Sequence, residues 1–219
     1  MSIVKDGWPF ILIPAVLLGA AGAAAHMVDW TWASRTAWAL GLCFVLFMVY
    51  FFRDPERIPP DDSDSIVAGA DGVIRSIETI TENKYLEADT VRVSIFLNPF
   101  DVHVNRAPIA GMVNGLAYTP GRHLLTISNA SSEFNEHSSI LISGEKTRCL
   151  VRQIVGPVVR RVVYWLEMNQ ALGKGQRIGM MKFGSRLDMY FPKDDVIITA
   201  RKGERVRAGE TIIGKTKED

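Results

Sequence analysis

Two charge-free stretches constrain this chain before anything else does. Trp8 to Val28 contains no Asp, Glu, Lys or Arg, and neither does Thr36 to Phe52, which Arg35 and Arg53 bracket. At a rise of ~1.5 Å per residue the first run crosses a hydrocarbon core of ~30 Å and the second reaches the short limit, which predicts a transmembrane helical hairpin. Trp8, Trp30, Trp32, Trp38 and Tyr50 stand at or near the run ends, where amphipathic rings favour the interface. Lys5 before the first span and Arg53 and Arg57 after the second give a modest basic excess that puts both ends in the cytoplasm. A cleaved signal peptide is the alternative for the first run, but the second would still anchor the product, and "GAAGAAAHM" is a weak cleavage site.

Composition turns abruptly polar in "FFRDPERIPPDDSDS", which sets the expected boundary: residues 1–57 as anchor, with spans at about 8–28 and 36–52, and 58–219 as one folded domain. Asp61, Asp62 and Asp64 read as a solvated linker. Beyond them, "SIVAGADGVIRSIETI" predicts two short strands around a turn at Asp71-Gly72. "VRVSIFL" alternates Val91, Val93, Ile95 and Leu97 against Arg92, Ser94 and Phe96. "DVHVN" continues with Val102 and Val104 on one face and His103 on the other, and "GMVNGLAYTPG", "SSILISG" and "TRCLVRQIVG" add further strands. A helix is expected from Pro157 to Gly173, with an apolar stripe of Val158, Val159, Val162, Val163, Trp165 and Leu166. Its outward Arg160 and Arg161 fit a solvated face or a lipid-headgroup contact. "GKGQRIGMMKFG" and "RKGERVRAGETIIG" echo one another as Gly-bounded hairpins. The expected fold class is therefore mainly β (α+β): a transmembrane hairpin, then a β-rich sandwich or barrel-like domain with one or two helices.

With 25 basic against 24 acidic side chains, and no basic stripe interleaved with aromatics, nucleic acid is a poor partner. Cys43 lies in an apolar run and Cys149 in a polar-flanked strand, so a mutual disulfide is not expected. The four His and two Cys show no zinc-site spacing, and no metal is expected.

One pair fits none of this. In "KFGSRLDMYFP" the chain alternates like a strand on both sides of Gly184-Ser185, yet Gly weakens a strand interior. A β-bulge is the plain explanation. A hydrolase nucleophile is disfavoured, because no Gly-x-Ser-x-Gly elbow surrounds Ser185. Self-cleavage is the third: a strained Gly carbonyl is attacked by the next residue's hydroxyl, with a base to take its proton.

"FFRDPERIPP", "ADGVI", "FLNPFDVHVNRAPIAGMVNGLAYTPG", "SNASSEFNEH" and "KFGSRLDMYFP" followed by "VRAGETIIG" span residues 51–214. In that combination and order the chain closely resembles the phosphatidylserine decarboxylase proenzymes, in their short bacterial form. The resemblance implies a cut between Gly184 and Ser185, by an N-to-O acyl shift and then β-elimination, giving a large chain (1–184) and a small one (185–219). Ser185 would become a covalently bound pyruvoyl group, which replaces pyridoxal phosphate. The amine of phosphatidylserine would condense with it as an imine, and loss of CO2 would leave phosphatidylethanolamine. An Asp-His-Ser triad carries over by motif onto Asp71, His103 and Ser185, chemically apt because a carboxylate can orient an imidazole that deprotonates a hydroxyl. Ordinary alternatives are an Asp-Gly turn and a surface His.

The chain departs from the commoner family pattern in two places. It has Phe-Gly-Ser-Arg where many members read Leu-Gly-Ser-Thr, and Arg106 where many carry a second His, so the group that protonates the carbanion is open. Arg186 and His123 are candidate substrate contacts, with surface solvation and an ordinary loop position as alternatives, and His137 is a lesser candidate. The implied partners are phosphatidylserine, the membrane and the two chains of one proenzyme, with a homo-oligomer left open. The implied location is the cytoplasmic side of the inner membrane, where a tether suits a bilayer-bound substrate. The rival is a membrane-anchored adaptor with a lipoyl-like sandwich, in which the chain stays whole.

Overall fold

The computed structural model describes residues 2–124, 134–156, 162–182 and 185–217. It divides into two compact units, Met1–Glu56 and Arg57–Asp219.

In the first unit, α1 (Trp8–Met27) and α2 (Thr31–Phe51) form an antiparallel hairpin, each long and apolar enough to cross a membrane. Pro9 is tolerated in the first turn of α1, where its missing N–H leaves no intrahelical bond unmade. Asp29 takes a left-handed φ of 59° in the turn, and the Ser34 hydroxyl donates to the Gly22 carbonyl across the pair at 2.9 Å. α2 starts five residues before the charge-free run and takes in Arg35, so it is longer than the apolar stretch alone indicated. Short strands β1 (Ser2–Ile3) and β2 (Arg53–Asp54) pair at the unit's ends.

The second unit is built of antiparallel strands. β3 (Ser65–Val67), β4 (Gly72–Glu82), β5 (Ala88–Leu97), β6 (Val104–Arg106) and β7 (Gly111–Thr119) are followed by β8 (His137–Ser143) and β9 (Arg148–Ile154). Then come β10 (Val162–Tyr164), β11 (Ala171–Leu172), β12 (Arg177–Met181), β13 (Ser185–Pro192), β14 (Val196–Ile198), β15 (Arg205–Val206) and β16 (Ile212–Thr216). They form an eight-stranded sheet ordered β11-β7-β8-β9-β13-β5-β4-β15 and two three-stranded sheets, β10-β12-β6 and β14-β16-β3. Strand alternation buries Val93, Ile95 and Leu97 of β5 with Leu187, Met189 and Phe191 of β13 and Ile140 and Ile142 of β8 in one apolar core. The opposite face is covered as well: Ser94 is fully buried, Arg92 is buried, and Leu86 packs there on Leu150 and Tyr190.

The helix expected over residues 157–173 is not formed where the chain is described; residues 157–161 lie outside the described residues. Val162–Tyr164 is instead strand β10, paired with residues 179–181, and Ala171–Leu172 is β11. Two β-branched residues followed by Tyr suit a pleated surface. Gly179 admits the partner strand closely, since a Cβ there would lie 2.3 Å from the Val163 carbonyl oxygen. Tertiary pairing thus overrides the helical periodicity.

Candidate active site

Ser185 does not sit in the middle of a strand, as the alternation across "KFGSRLDMYFP" indicated. β12 ends at Met181 in a three-stranded sheet and β13 begins at Ser185 in the eight-stranded one, so Ser185 opens a strand in a different sheet from the one that precedes it. From Ser185 onward the ladder with β5 runs without a register shift. Gly184 itself, and Phe183, lie outside the described residues.

Register brings Asp71 and Ser185 to the same end of the large sheet. Ser185 pairs with Leu97 and Arg186 with Phe96, while Phe96 on its other edge pairs with Val73. Asp71, immediately before β4, and Ser185 therefore flank the end of β5. The turn between Asp71 and Val73 depends on Gly72, whose φ is +147° and where a Cβ would fall 2.1 Å from the Phe96 carbonyl oxygen. His103 follows the loop that leaves β5, and its carbonyl accepts from the Met181 N–H at 3.2 Å, four residues before Ser185.

The loop is tied internally. Asn98 N–H donates to Asp101 Oδ2 at 2.8 Å, Asp101 N–H to the Asn98 carbonyl at 2.8 Å, and Phe100 N–H to Asn98 Oδ1 at 3.0 Å. Arg205 Nη1 holds Asp101 Oδ1 at 3.0 Å. The Asp101 backbone carbonyl so fixed lies 3.0 Å from His103 Nδ1. A carbonyl only accepts, so Nδ1 carries the proton and Nε2 is the basic nitrogen of the neutral ring. His103 is fully buried, so it is not the surface histidine that its place on a polar strand face also allowed.

Asp71 is more than a turn residue. Its Oδ2 accepts from Arg57 Nη2 at 2.9 Å and its Oδ1 from the Ala208 N–H at 2.8 Å. Burial raises its pKa above the ordinary carboxylate value and outweighs the opposing Ala208 N–H and Arg57 charge. The described orienting bond to His103 thus comes from the Asp101 carbonyl, while those to Asp71 come from Arg57 and Ala208. Asp101, Arg57 and Arg205 were missed from sequence. A clue existed only for Arg57, inside the "FFRDPERIPP" segment that otherwise reads as linker.

Arg186 is 2 % exposed, so surface solvation does not describe it. Its Nε donates to Asp188 Oδ1 at 2.7 Å and its Nη2 to Ser94 Oγ at 2.8 Å. Arg106 is likewise buried and donates to the Gly175 carbonyl at 3.0 Å. His123 Nε2 meets Glu136 Oε2 at 3.0 Å, a local pair beside the start of β8. His137 opens β8, two strands from β13, with Nδ1 donating to the Asn135 carbonyl at 2.7 Å; burial pushes its pKa below the ordinary value. Among the described residues, no group of three or more His, Cys, Asp and Glu side chains is arranged to hold a metal ion.

Comparison with known proteins identifies the family of the chain. The family model described as phosphatidylserine decarboxylase matches residues 44–214. A phosphatidylserine decarboxylase proenzyme of Desulfotalea psychrophila is 40 % identical, over 98 % of this chain and 97 % of the relative. Proenzymes of the same name from Carboxydothermus hydrogenoformans (43 % identical, 78 % of this chain and 81 % of the relative) and Symbiobacterium thermophilum (37 %, 97 % and 95 %) are similar too. With the match covering most of its length, the chain belongs to the phosphatidylserine decarboxylase family.

Proposed function

We propose that this chain is a self-processing decarboxylase that cuts itself between Gly184 and Ser185 and converts phosphatidylserine to phosphatidylethanolamine and CO2. The observation that supports the proposal is that Asp71 and Ser185 flank the end of β5, while the loop leaving β5 leads to His103, whose carbonyl accepts from Met181 shortly before Ser185. In the cut, His103 Nε2 takes the Ser185 hydroxyl proton as the oxygen adds to the Gly184 carbonyl carbon. The C–N bond breaks, the nitrogen receives that proton, and an ester results. Removal of the Ser185 Cα proton then expels the Gly184 carboxylate. Water replaces the nitrogen, which leaves as ammonia. Asp71 contributes negative charge that favours the imidazolium formed in the first step.

Serine as the first residue of β13, four residues after Met181, whose N–H binds the carbonyl of a buried histidine with a defined tautomer, fits a pyruvoyl group made in place. Such a group supplies a ketone that takes up the substrate amine and accepts the electrons left when CO2 departs. His103 then moves protons near that position, and the tied loop of residues 98–101, through the Asp101 carbonyl, keeps its ring aimed. The apolar hairpin holds the enzyme in the membrane with residues 58–219 on the cytoplasmic side, where the substrate headgroup is met at the bilayer surface.

Intact mass spectrometry of the purified chain tests this directly. Two masses are expected, the smaller beginning with a pyruvoyl group at position 185, and a Ser185→Ala variant stays whole and inactive. A wild-type chain that decarboxylates the lipid while retaining an ordinary serine, or a Ser185→Ala chain that still divides, refutes it.

A further inference from the structure

Arg57 is the least expected residue near the site. Its side chain is only 9 % exposed, and one guanidinium serves two carboxylates: Nη2 donates to Asp71 Oδ2 at 2.9 Å and Nη1 to Glu210 Oε2 at 2.7 Å. Asp71 receives its other hydrogen bond from the Ala208 N–H, at Oδ1. Each Asp71 oxygen is thus held by a donor from a different segment, one before β3 and one after β15, which defines the plane of the carboxylate. A planar fork can bridge two acids in this way, and a lysine ammonium is a point charge without that geometry.

We propose that Arg57 is a positioning residue for self-cleavage, with its guanidinium holding the Asp71 carboxylate ionised and in plane and Glu210 holding Arg57. This rests on the proposal that Asp71, His103 and Ser185 carry the cut. The charged groups acting on Asp71 oppose one another. Arg57 and the Ala208 N–H favour the carboxylate, whereas burial and the charge of Asp101, itself paired with Arg205, disfavour it. Removing Arg57 therefore raises the pKa of Asp71 further, and the ionised form is lost at a higher pH as acid is added. The acid limb of the cleavage profile moves upward.

The test follows the cutting of freshly synthesised full chain in detergent micelles over time, from about pH 5 to pH 9. Arg57→Ala is expected to displace the acid limb by about one unit upward, slowing the cut by up to about tenfold on that limb and little above it. Added guanidinium should restore part of the loss. Arg57→Lys should slow cutting with a limb near its original position, and Glu210→Gln should slow it about two- to threefold. An Arg57→Ala chain that cuts at the parent rate, or is slowed equally at every pH, overturns the proposal. Should Arg57→Ala fail to fold, judged by the melting of its uncut Ser185→Ala counterpart, an Arg57→Lys chain with parent rate and profile overturns it instead. Asp71→Asn separates the two levels: normal cutting by Asp71→Asn refutes the triad, whereas stalled Asp71→Asn beside a normal Arg57→Ala refutes only the role of Arg57.

Discussion

Asp188 is the most exacting position at which to test this account. It is fully buried on the covered face of the large sheet, three residues beyond Ser185, and its Oδ1 accepts from Arg186 Nε at 2.7 Å. Its register partners are Ser94 and Arg152, and its charge also acts on Arg92, Tyr190 and His137. Replacing it with Ala leaves the buried Arg186 guanidinium without this carboxylate, and breaking such a buried pair costs about 3–5 kcal/mol. In a unit of roughly 150–250 residues, each kcal/mol moves the unfolding midpoint by about 2–4 °C, so Asp188→Ala is expected to melt about 10 °C lower. The measurement is a thermal melt by near-ultraviolet circular dichroism in detergent, with all samples carrying Ser185→Ala so that every chain is whole. Replacing both partners, as Arg186→Met with Asp188→Leu, removes both desolvation costs and should recover most of the loss. If Asp188→Ala melts within about 2 °C of its parent, or the double variant is as damaged as the single one, the pair does not hold this face together.

Two further outcomes follow from the geometry. Because burial depresses the pKa of His137, the unfolded chain takes up that proton first; the contribution to stability is full above the ordinary value of about 6.5 and is lost as pH falls through the lower folded value. Melting points should drop between about pH 7 and pH 5, and a His137→Gln variant should show a shallower drop; identical slopes refute this. Gly72→Ala places a Cβ 2.1 Å from the Phe96 carbonyl oxygen at a φ of +147°, which should cost about 1–3 kcal/mol in strain and slow cutting by displacing Asp71. Parent-like melting and cutting rates would show that the turn relaxes freely.

Sequence patterns revealed the parts of this fold governed by local period and missed those governed by packing. Charge-free runs marked the helices, and alternation with an Asp-Gly turn marked β4 and β5. The apolar stripe from Val158 to Leu166 misled, because the pairing of Val162–Tyr164 with residues 179–181 is a long-range event invisible in a local window. The same limit hid the sheet change at Ser185: alternation with a period of two continues through a corner without recording which strands lie beside it. His103 was legible as chemistry, but its support was not. A backbone carbonyl at Asp101 carries no side-chain signature, and Arg57 looked like one more charge in a polar linker.

β13 lies inside the large sheet, with β5 along one edge and β9 along the other. A break just ahead of it would release no loose piece, because the severed segment stays zipped on both sides and carries part of the apolar interior with it. The halves should therefore travel together through gel filtration and come apart only in a denaturant strong enough to melt the whole unit. Maturation of this kind would change the covalent chain and leave the particle the same size.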